Sequence, residues 1–487
     1  MTINFHGVIK VLGIMLMILA VAMLLPVIVG FYYKEIFEIK TFFKVIIPCL
    51  ILGMVLFHLK NPSLTKLKAR DGFLIVSLTW IISSLVSALP FVISGTIPNY
   101  FDAFFEMCSG YSTTGSTILT EIEGLPKSML FWRSFTHWLG GMGIIVFAMI
   151  FLESGVKGQL IASAETPGPT LDKLTPRFSD TARNLYVLYF VFTIIEAVLL
   201  MLGGLSLYDA LVQTFGTVGT GGFSNYNNSI AHFRSPYIHW VIIIFMTLCG
   251  INFNLYFIAF KQSIKAALED IELRTYLSII AIFSLAIAAY ILIIGYEHSI
   301  FKAVTDATFQ VVAVITTTGY MTYDFDIWPT FAKILIFLLM FVGASSSSTG
   351  GGVKVIRIVV AAKFIKKGIN KILHPNRLYE ISIGDREIQQ ETASNIANFI
   401  FMYIATIIVG TLLVSLNNFD ILTSFSAVLT CIGNIGPGFN LVGPTMNFSI
   451  FSDFSKLVLS IIMIAGRLEL FTLFMLFSPH YYNSNKA

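Results

Sequence analysis

Long uncharged apolar runs alternate with short polar segments along this chain, and that alternation sets the architecture before any motif is considered. Uncharged or nearly uncharged stretches recur at 11–33, 45–59, 73–97, 134–152, 184–205, 236–260, 275–296, 331–362, 392–416 and 457–477. Roughly 20 apolar residues in a helix cross the hydrocarbon core of a bilayer, so these ten runs predict ten membrane helices. The first, Val11 to Tyr33, holds 23 residues without a charge. It is too long for the apolar region of a cleaved leader and predicts a span.

Between alternate helices lie shorter runs, apolar for 10 to 12 residues, that turn abruptly into Thr, Ser, Asn and Gly. They read FDAFFEMCSGYSTTGST from Phe101, YDALVQTFGTVGTGGFS from Tyr208, TDATFQVVAVITTTGYM from Thr305 and FDILTSFSAVLTCIGNIGPGF from Phe419. They are too short to cross, and each carries an Asp at its second place. Asp102, Asp209 and Asp306 precede Gly115, Gly222 and Gly319 by 13 residues each. In the fourth copy the same offset from Asp420 reaches Gly433, while the GPG turn offers Gly436, and the sequence leaves that choice open. The pattern is a fourfold internal repeat of about 100 residues, each copy reading helix, re-entrant loop, helix. The expected fold is an all-α polytopic membrane protein of four tandem membrane-pore loop-membrane repeats around a pseudo-fourfold axis. Two extra helices occupy residues 1–69, and the repeats run 70–153, 154–260, 261–372 and 373–487.

An Asp ahead of about three apolar turns reads as a helix N-cap. If the Asp sits at the outer rim, the short helix descends and its C-terminal carbonyls, worth roughly half a negative charge, point at the Thr-Gly stretch. The chain then returns as extended backbone, which is tolerated at membrane depth only where it is buried in protein or lines water. Glycine permits carbonyls to turn toward an axis, where they replace a cation's hydration shell. The hydroxyls of Thr113, Thr114, Thr217, Thr220, Thr317 and Thr318 add oxygens. No acidic side chain adjoins the four glycines, so the cage is neutral and suits a weakly hydrated monovalent ion, potassium first. The plainer reading of these glycines is close helix packing, which four copies at matched offset disfavour.

The run from Phe331 is broken by GASSSSTGGGVK, which carries Gly343, Ser345, Ser346, Ser347, Ser348, Thr349, Gly350, Gly351, Gly352 and Lys354. Each glycine costs a helix about 1 kcal/mol. A break at mid-membrane is expected, with the loop lining the cavity below the filter. It is not a nucleotide loop, because Val355 stands where Ser or Thr must follow the lysine. Arg467 lies well inside the last apolar run, where a charge faces protein or water. Its structural alternative is an ion pair with Glu469 or Glu196.

Composition narrows the class further. Of 487 residues 56% are apolar and 12% charged, against about a quarter charged in soluble chains, which excludes a water-soluble globule. With Lys10 inside, 21 of the 31 Lys and Arg fall on the inner side and 9 on the outer, the bias of cytoplasmic loops, with both termini cytoplasmic. The net charge of +4 then needs no nucleic-acid partner. The four cysteines form no CxxC pair and the eight histidines no cluster, which argues against a membrane-embedded enzyme and against any cofactor in this chain. A proton-coupled carrier of another small substrate usually shows inverted repeats and a midplane acid. Here the repeats run parallel, and Glu196 is the one acidic residue well inside a run.

The segments TTGST at 113–117, HWLGGMGI at 137–144, GTGGFS at 219–224, TTTGY at 316–320, the Ser-Gly run at 343–352, NIGPGF at 434–439 and AGRLEL at 465–470 carry a resemblance that covers nearly the whole chain. It resembles the Trk, Ktr and HKT superfamily of bacterial, fungal and plant cation transporters, most closely the TrkH type of membrane subunit. The resemblance implies potassium uptake across a bacterial cytoplasmic (inner) membrane, with one pore per subunit and the subunits paired as a homodimer. It implies a filter built from Thr113, Thr114 and Gly115; Thr220, Gly221 and Gly222; Thr317, Thr318 and Gly319; and Asn434, Ile435 and Gly436. It further implies that Arg467 bars the pore beside the interrupted loop. A TrkA-type cytosolic nucleotide-binding subunit would dock on the inner face, where the segment from Lys363 to Arg386 forms the largest basic surface.

Overall fold

The computed structural model describes residues 3–58, 68–143, 178–261, 263–374, 381–383, 386–388, 390–478 and 481. The inner end of the predicted 134–152 helix and most of the 153–183 loop lie outside the described residues. Among the described residues, six helices are long and apolar enough to cross a membrane: Phe5–Tyr33, Ile36–His58, Arg70–Ser94, Arg183–Leu202, Ile271–Ile293 and Glu391–Asn417. Their burial pattern inverts that of a soluble protein. Ile282 and Leu285 are each 63% exposed, whereas Ser77, Ser84 and Ser87 are fully buried. Apolar side chains face the lipid, and small hydroxyls mediate helix packing, as where Ser87 Oγ meets Tyr111 Oη at 2.8 Å.

Three further predicted spans are broken. The expected break after Phe331 is present, between the helices Thr330–Leu339 and Val355–Leu373. Two runs expected as continuous helices are not. Pro236–Cys249 and Phe253–Lys261 meet at 85°, and Asp453–Arg467 and Phe471–Phe477 meet at 114°. A break frees backbone groups that must find partners; here the first two breaks satisfy each other and the third turns back on its own helix. Ser345 N donates to Gly250 O at 3.0 Å, Phe253 N donates to Ser347 O at 3.2 Å, and Leu470 N turns back to Ala465 O at 2.7 Å. Glycine is required at the first bend, because a Cβ on Gly250 would collide with the Tyr276 hydroxyl.

The basic residues Lys363, Lys366, Lys367 and Lys371 lie on the Val355–Leu373 helix and not in a loop, since nothing in that stretch halts the helix. Beyond it, Ile381–Ile383 pairs antiparallel with Arg386–Ile388, a two-stranded ribbon in an otherwise helical fold.

Candidate functional site: a ring of four re-entrant loops

Four short helices, Tyr100–Tyr111, Leu207–Val218, Ile300–Ile315 and Ile421–Gly433, occupy the predicted re-entrant positions. Their N-caps differ from expectation in three copies. Asp420 does cap the fourth, accepting from Thr423 N at 3.0 Å. The others are capped by Asn99, Ser206 and Ser299. These polar residues lie upstream of each Asp and reach the first free N–H groups before it. Asp102 and Asp209 instead sit in the first turn, where the helix dipole still favours a carboxylate, and Asp306 lies farther along its helix. Asp102 accepts from Lys456 Nζ at 2.5 Å, Asp209 from Asn225 Nδ2 at 2.6 Å, and Asp306 from Thr322 Oγ1 at 3.3 Å.

The four C-termini share one geometry. Thr113, Thr220, Thr317 and Asn434 take left-handed φ of 56°, 53°, 58° and 55°. Around each, a pair of backbone bonds closes the helix: Thr113 N to Gly110 O and Thr114 N to Ser109 O, then Thr220 to Thr217 and Gly221 to Gly216. The third and fourth copies pair Thr317 with Val314 and Thr318 with Ala313, then Asn434 with Cys431 and Ile435 with Thr430. This is the Schellman arrangement, here built on a non-glycine residue. Two residues on, Gly115, Gly222, Gly319 and Gly436 have φ of 83°, 78°, 71° and 105°. Gly433 is the last residue of its helix. Gly436 is therefore the geometric counterpart of the other three glycines, and the offset from Asp420 misleads because the fourth helix starts directly at its Asp.

The loops meet in a closed cycle. A Cβ on Gly115 would strike Gly221 O; on Gly222, Thr318 O; on Gly319, Ile435 O; and on Gly436, Thr114 O. Each glycine lies against the carbonyl that precedes the next glycine, and the fourth loop returns to the first. Among the described residues, no hydrogen bond is donated to the carbonyls of Thr113, Thr114, Thr220, Gly221, Thr317, Thr318, Asn434 or Ile435. The hydroxyls are more committed: Thr114 Oγ1 is 2.7 Å from Ser112 Oγ, Thr318 Oγ1 is 2.8 Å from Thr316 Oγ1, and Thr317 Oγ1 accepts from Gly351 N at 2.7 Å. Backbone oxygens are the groups left to meet a cation. All four glycines line a cavity of about 110 Å³, whose other walls include Thr117, Tyr226, Asn227, Thr445 and Asn447; among the described residues, Arg133 is its one charged lining residue. Among the described residues no group of three or more His, Cys, Asp or Glu is placed to hold a metal.

Directly against this ring lies the 343–354 loop. Gly343 N donates to Val353 O at 2.8 Å, Thr349 Oγ1 to Cys249 O at 3.2 Å, and Ser348 Oγ to Ser345 O at 2.5 Å. Ser347 and Gly352 take positive φ, and the buried Lys354 Nζ caps Gly350 O. A Cβ on Gly350 would approach Thr316 O at 2.9 Å, and one on Gly351 would meet the Asn434 side chain at 2.8 Å. The structure thus brings the predicted filter and gate segments into contact.

Arg467 closes the assembly from the last repeat. It ends the helix at the bend and is not embedded in an unbroken span, which corrects the reading from sequence. Its guanidinium donates to Thr349 O at 2.7 Å from Nη1, and to Gly140 O at 2.9 Å and Gly141 O at 2.7 Å from Nη2. Glu469 binds Arg357 at 2.5 Å. His137 packs against the ring, its Nδ1 2.7 Å from Gly110 O and its imidazole beside Gly221.

Three side chains that sequence reading passed over belong to this site. Glu272 is 4% exposed and accepts from Ser346 N and Ser346 Oγ, both at 2.7 Å, and from Ile356 N at 3.2 Å. It pins both ends of the interrupted segment, yet it sits just before the 275–296 run and looks like a loop residue. Glu106 and Arg133 form a buried pair at 2.6 Å behind the first loop. A charge inside an apolar helix was the available signal for Glu106.

The TrkH family model, described as a cation transport protein, matches residues 38–486. The Trk system potassium uptake protein TrkH of Salmonella typhimurium is 34% identical over 488 residues, covering 98% of this chain and 99% of the relative. TrkH of Vibrio parahaemolyticus is 35% identical over 493 residues, covering 99% and 100%. The crystal structure of the potassium transporter TrkH from Vibrio parahaemolyticus superposes with a TM-score of 0.89 at 33% identity, covering 99% of this chain and 100% of that one. With the whole length matched by relatives above 30% identity, and with a fold that places four re-entrant loops in one ring, the chain belongs to the TrkH family of cation transport proteins.

Proposed function

We propose that this chain conducts potassium inward across a bacterial cytoplasmic membrane, through a filter formed by residues 113–115, 220–222, 317–319 and 434–436. The observation that carries this reading is the cyclic contact of the four positive-φ glycines with the carbonyls of their neighbours. Four half-helix C-termini, each worth roughly half a negative charge, favour a cation at the ring they surround. Unbonded carbonyls supply a neutral oxygen cage. Potassium is also the cargo in the names of the relatives. The loop 343–354 and Arg467 form the gate: together they tie the Thr349 carbonyl to Gly140 and Gly141, immediately beside the filter. The repeats 70–153, 154–260, 261–372 and 373–487 are the units of this pore, behind the two helices of residues 1–69.

The reading extends to assembly. The chain pairs as a homodimer with both termini cytoplasmic, and a TrkA-type nucleotide-binding subunit docks on the inner face near the basic helix end at Lys363, Lys366, Lys367 and Lys371. Rubidium uptake into proteoliposomes, with sodium as competitor and a pH-sensitive dye for proton movement, tests the function. Preference for rubidium over sodium is expected. Equal sodium and rubidium fluxes refute the assignment.

A further inference from the structure

Each of the first three half-helices carries a polar side chain four residues after its Asp, and in each it fastens the strand that returns from the loop. Gln213 Nε2 donates to Ser224 Oγ at 3.0 Å and to Asn225 Oδ1 at 2.8 Å, and Gln310 Nε2 reaches Thr322 Oγ1 at 3.5 Å. In the first copy the residue is Glu106, fully buried, and its carboxylate accepts from Thr117 Oγ1 at 2.8 Å and from Ile118 N at 2.9 Å. Those two residues follow Gly115 by two and three positions. Glu106 alone of the three is charged, and its counter-ion is Arg133, 2% exposed, with Nε 2.6 Å from Oε1.

Arg133 does more than neutralise the carboxylate. Its Nη1 donates to Ser224 O at 3.0 Å, and its guanidinium carbon lies 3.5 Å from the centroid of the Phe223 ring. Both residues belong to the strand leaving Gly222. One ion pair therefore holds the return strands of two adjacent loops, at the side of the ring where Gly115 abuts Gly221 O. A buried pair of this kind adds little net stability compared with apolar residues, but breaking it leaves an uncompensated charge. Its value is positional, since discrimination by a carbonyl ring depends on the number and placement of its oxygens. Arg133 also borders the cavity at the ring, so Glu106 cancels a positive charge that would repel an arriving cation.

We infer that Glu106 and Arg133 are positioning residues for ion selection, setting the spacing of loops 1 and 2 and thereby the preference among monovalent cations. This rests on the filter reading above. The test is the sodium-to-rubidium uptake ratio of Glu106→Gln and Thr117→Val in proteoliposomes, with Gly115→Ser run in parallel. Glu106→Gln keeps the shape but removes the charge. It is expected to raise the ratio at least about threefold, equivalent to about 0.7 kcal/mol of selectivity at 1.4 kcal/mol per decade. Thr117→Val removes one contact of the carboxylate and leaves the ion pair intact. It is expected to raise the ratio by a smaller amount, and it carries the test if Glu106→Gln does not fold. A wild-type ratio in folded Thr117→Val, or in folded Glu106→Gln, overturns the inference. If Gly115→Ser changes the ratio while these two do not, the filter reading stands and this inference alone fails. If Gly115→Ser also leaves the ratio unchanged, the filter reading itself fails.

Discussion

Replacing Arg467 by Ala removes a side chain that ties the 343–354 loop to the Lys127–Gly141 helix. The guanidinium makes hydrogen bonds of 2.7, 2.9 and 2.7 Å to Thr349 O, Gly140 O and Gly141 O. The two glycine carbonyls lie at the C-terminal end of the Lys127–Gly141 helix, where the dipole favours a cation, and they hold the arginine in place. The bond to Thr349 O is the one that must be lost when the loop moves. A hydrogen bond to a charged group is worth about 1.5 to 3 kcal/mol. At 1.4 kcal/mol per decade, the closed-to-open ratio should fall by about 10- to 150-fold. If the closed state dominates at rest, initial rubidium uptake into proteoliposomes should rise at least about tenfold. Arg467→Lys separates two versions of the idea. A lysine keeps the charge but lacks the planar fork that spans Thr349 and the two glycines. A latch predicts leak in both variants, whereas a purely electrostatic barrier predicts leak only in the alanine. Unchanged or reduced uptake by a folded, monodisperse Arg467→Ala protein refutes the gating role.

Four further outcomes are expected. Gly115→Ser should admit more sodium, because its Cβ would press on Gly221 O and distort the ring; an unaltered ion preference in uptake competition contradicts the filter assignment. Gly319→Ala should reduce rubidium uptake more than about tenfold, since φ is +71° and the added carbon meets both Ile435 O and Pro437; wild-type uptake speaks against the closed cycle. Glu272→Gln should raise basal uptake by about tenfold or more, having weakened charge-assisted bonds to Ser346 N and Ile356 N; uptake at the wild-type rate would show that this anchor does not hold the loop. At the protein surface, the hydrogen bond from Lys302 and those from the Ser299 and His298 amides lower the Glu297 carboxyl to about 2. A carboxyl with a depressed folded-state pKa stabilises fully above its ordinary value, here 4.5, and loses that contribution as pH falls through about 2. Thermal unfolding of Glu297→Gln should therefore fall below that of wild type at pH 6 and converge with it between about pH 4.5 and 2; a difference independent of pH rejects the ion pair as its origin.

Much of this site is readable from spacing. Re-entrant helices announce themselves because they are apolar for too few residues to cross and then change abruptly to Thr and Gly, and the 343–354 loop is visible because four serines and four glycines cannot sustain a helix there. Other features are not readable. The need for a small residue at Gly250 comes from the Tyr276 hydroxyl, which another helix brings to the place of a Cβ. The bend after Arg467 passes through positive φ at Glu469 and Leu470, conformations that neither residue type signals and that persist only where packing imposes them. The N-caps are not readable for a local reason, since Asn99, Ser206 and Ser299 compete with the aspartates and nothing in a linear pattern ranks them.

By itself, the sequence determined the membrane class, the fourfold repeat pattern, the re-entrant loops and the interrupted segment at 343–354 that packs against them. Each of these follows from periodicity and residue chemistry, which are local. The tertiary structure decided which glycine completes the ring, that the breaks near Gly250 and at 340–354 satisfy each other's backbone groups, and that Glu106, Arg133 and Glu272 lie against the ring and the interrupted segment. Those facts depend on contacts between residues about a hundred or more positions apart, or on one side chain reaching two segments at once. A single chain records the partners but not their meeting, because hydrogen bonding at membrane depth is settled by whichever segment packs alongside.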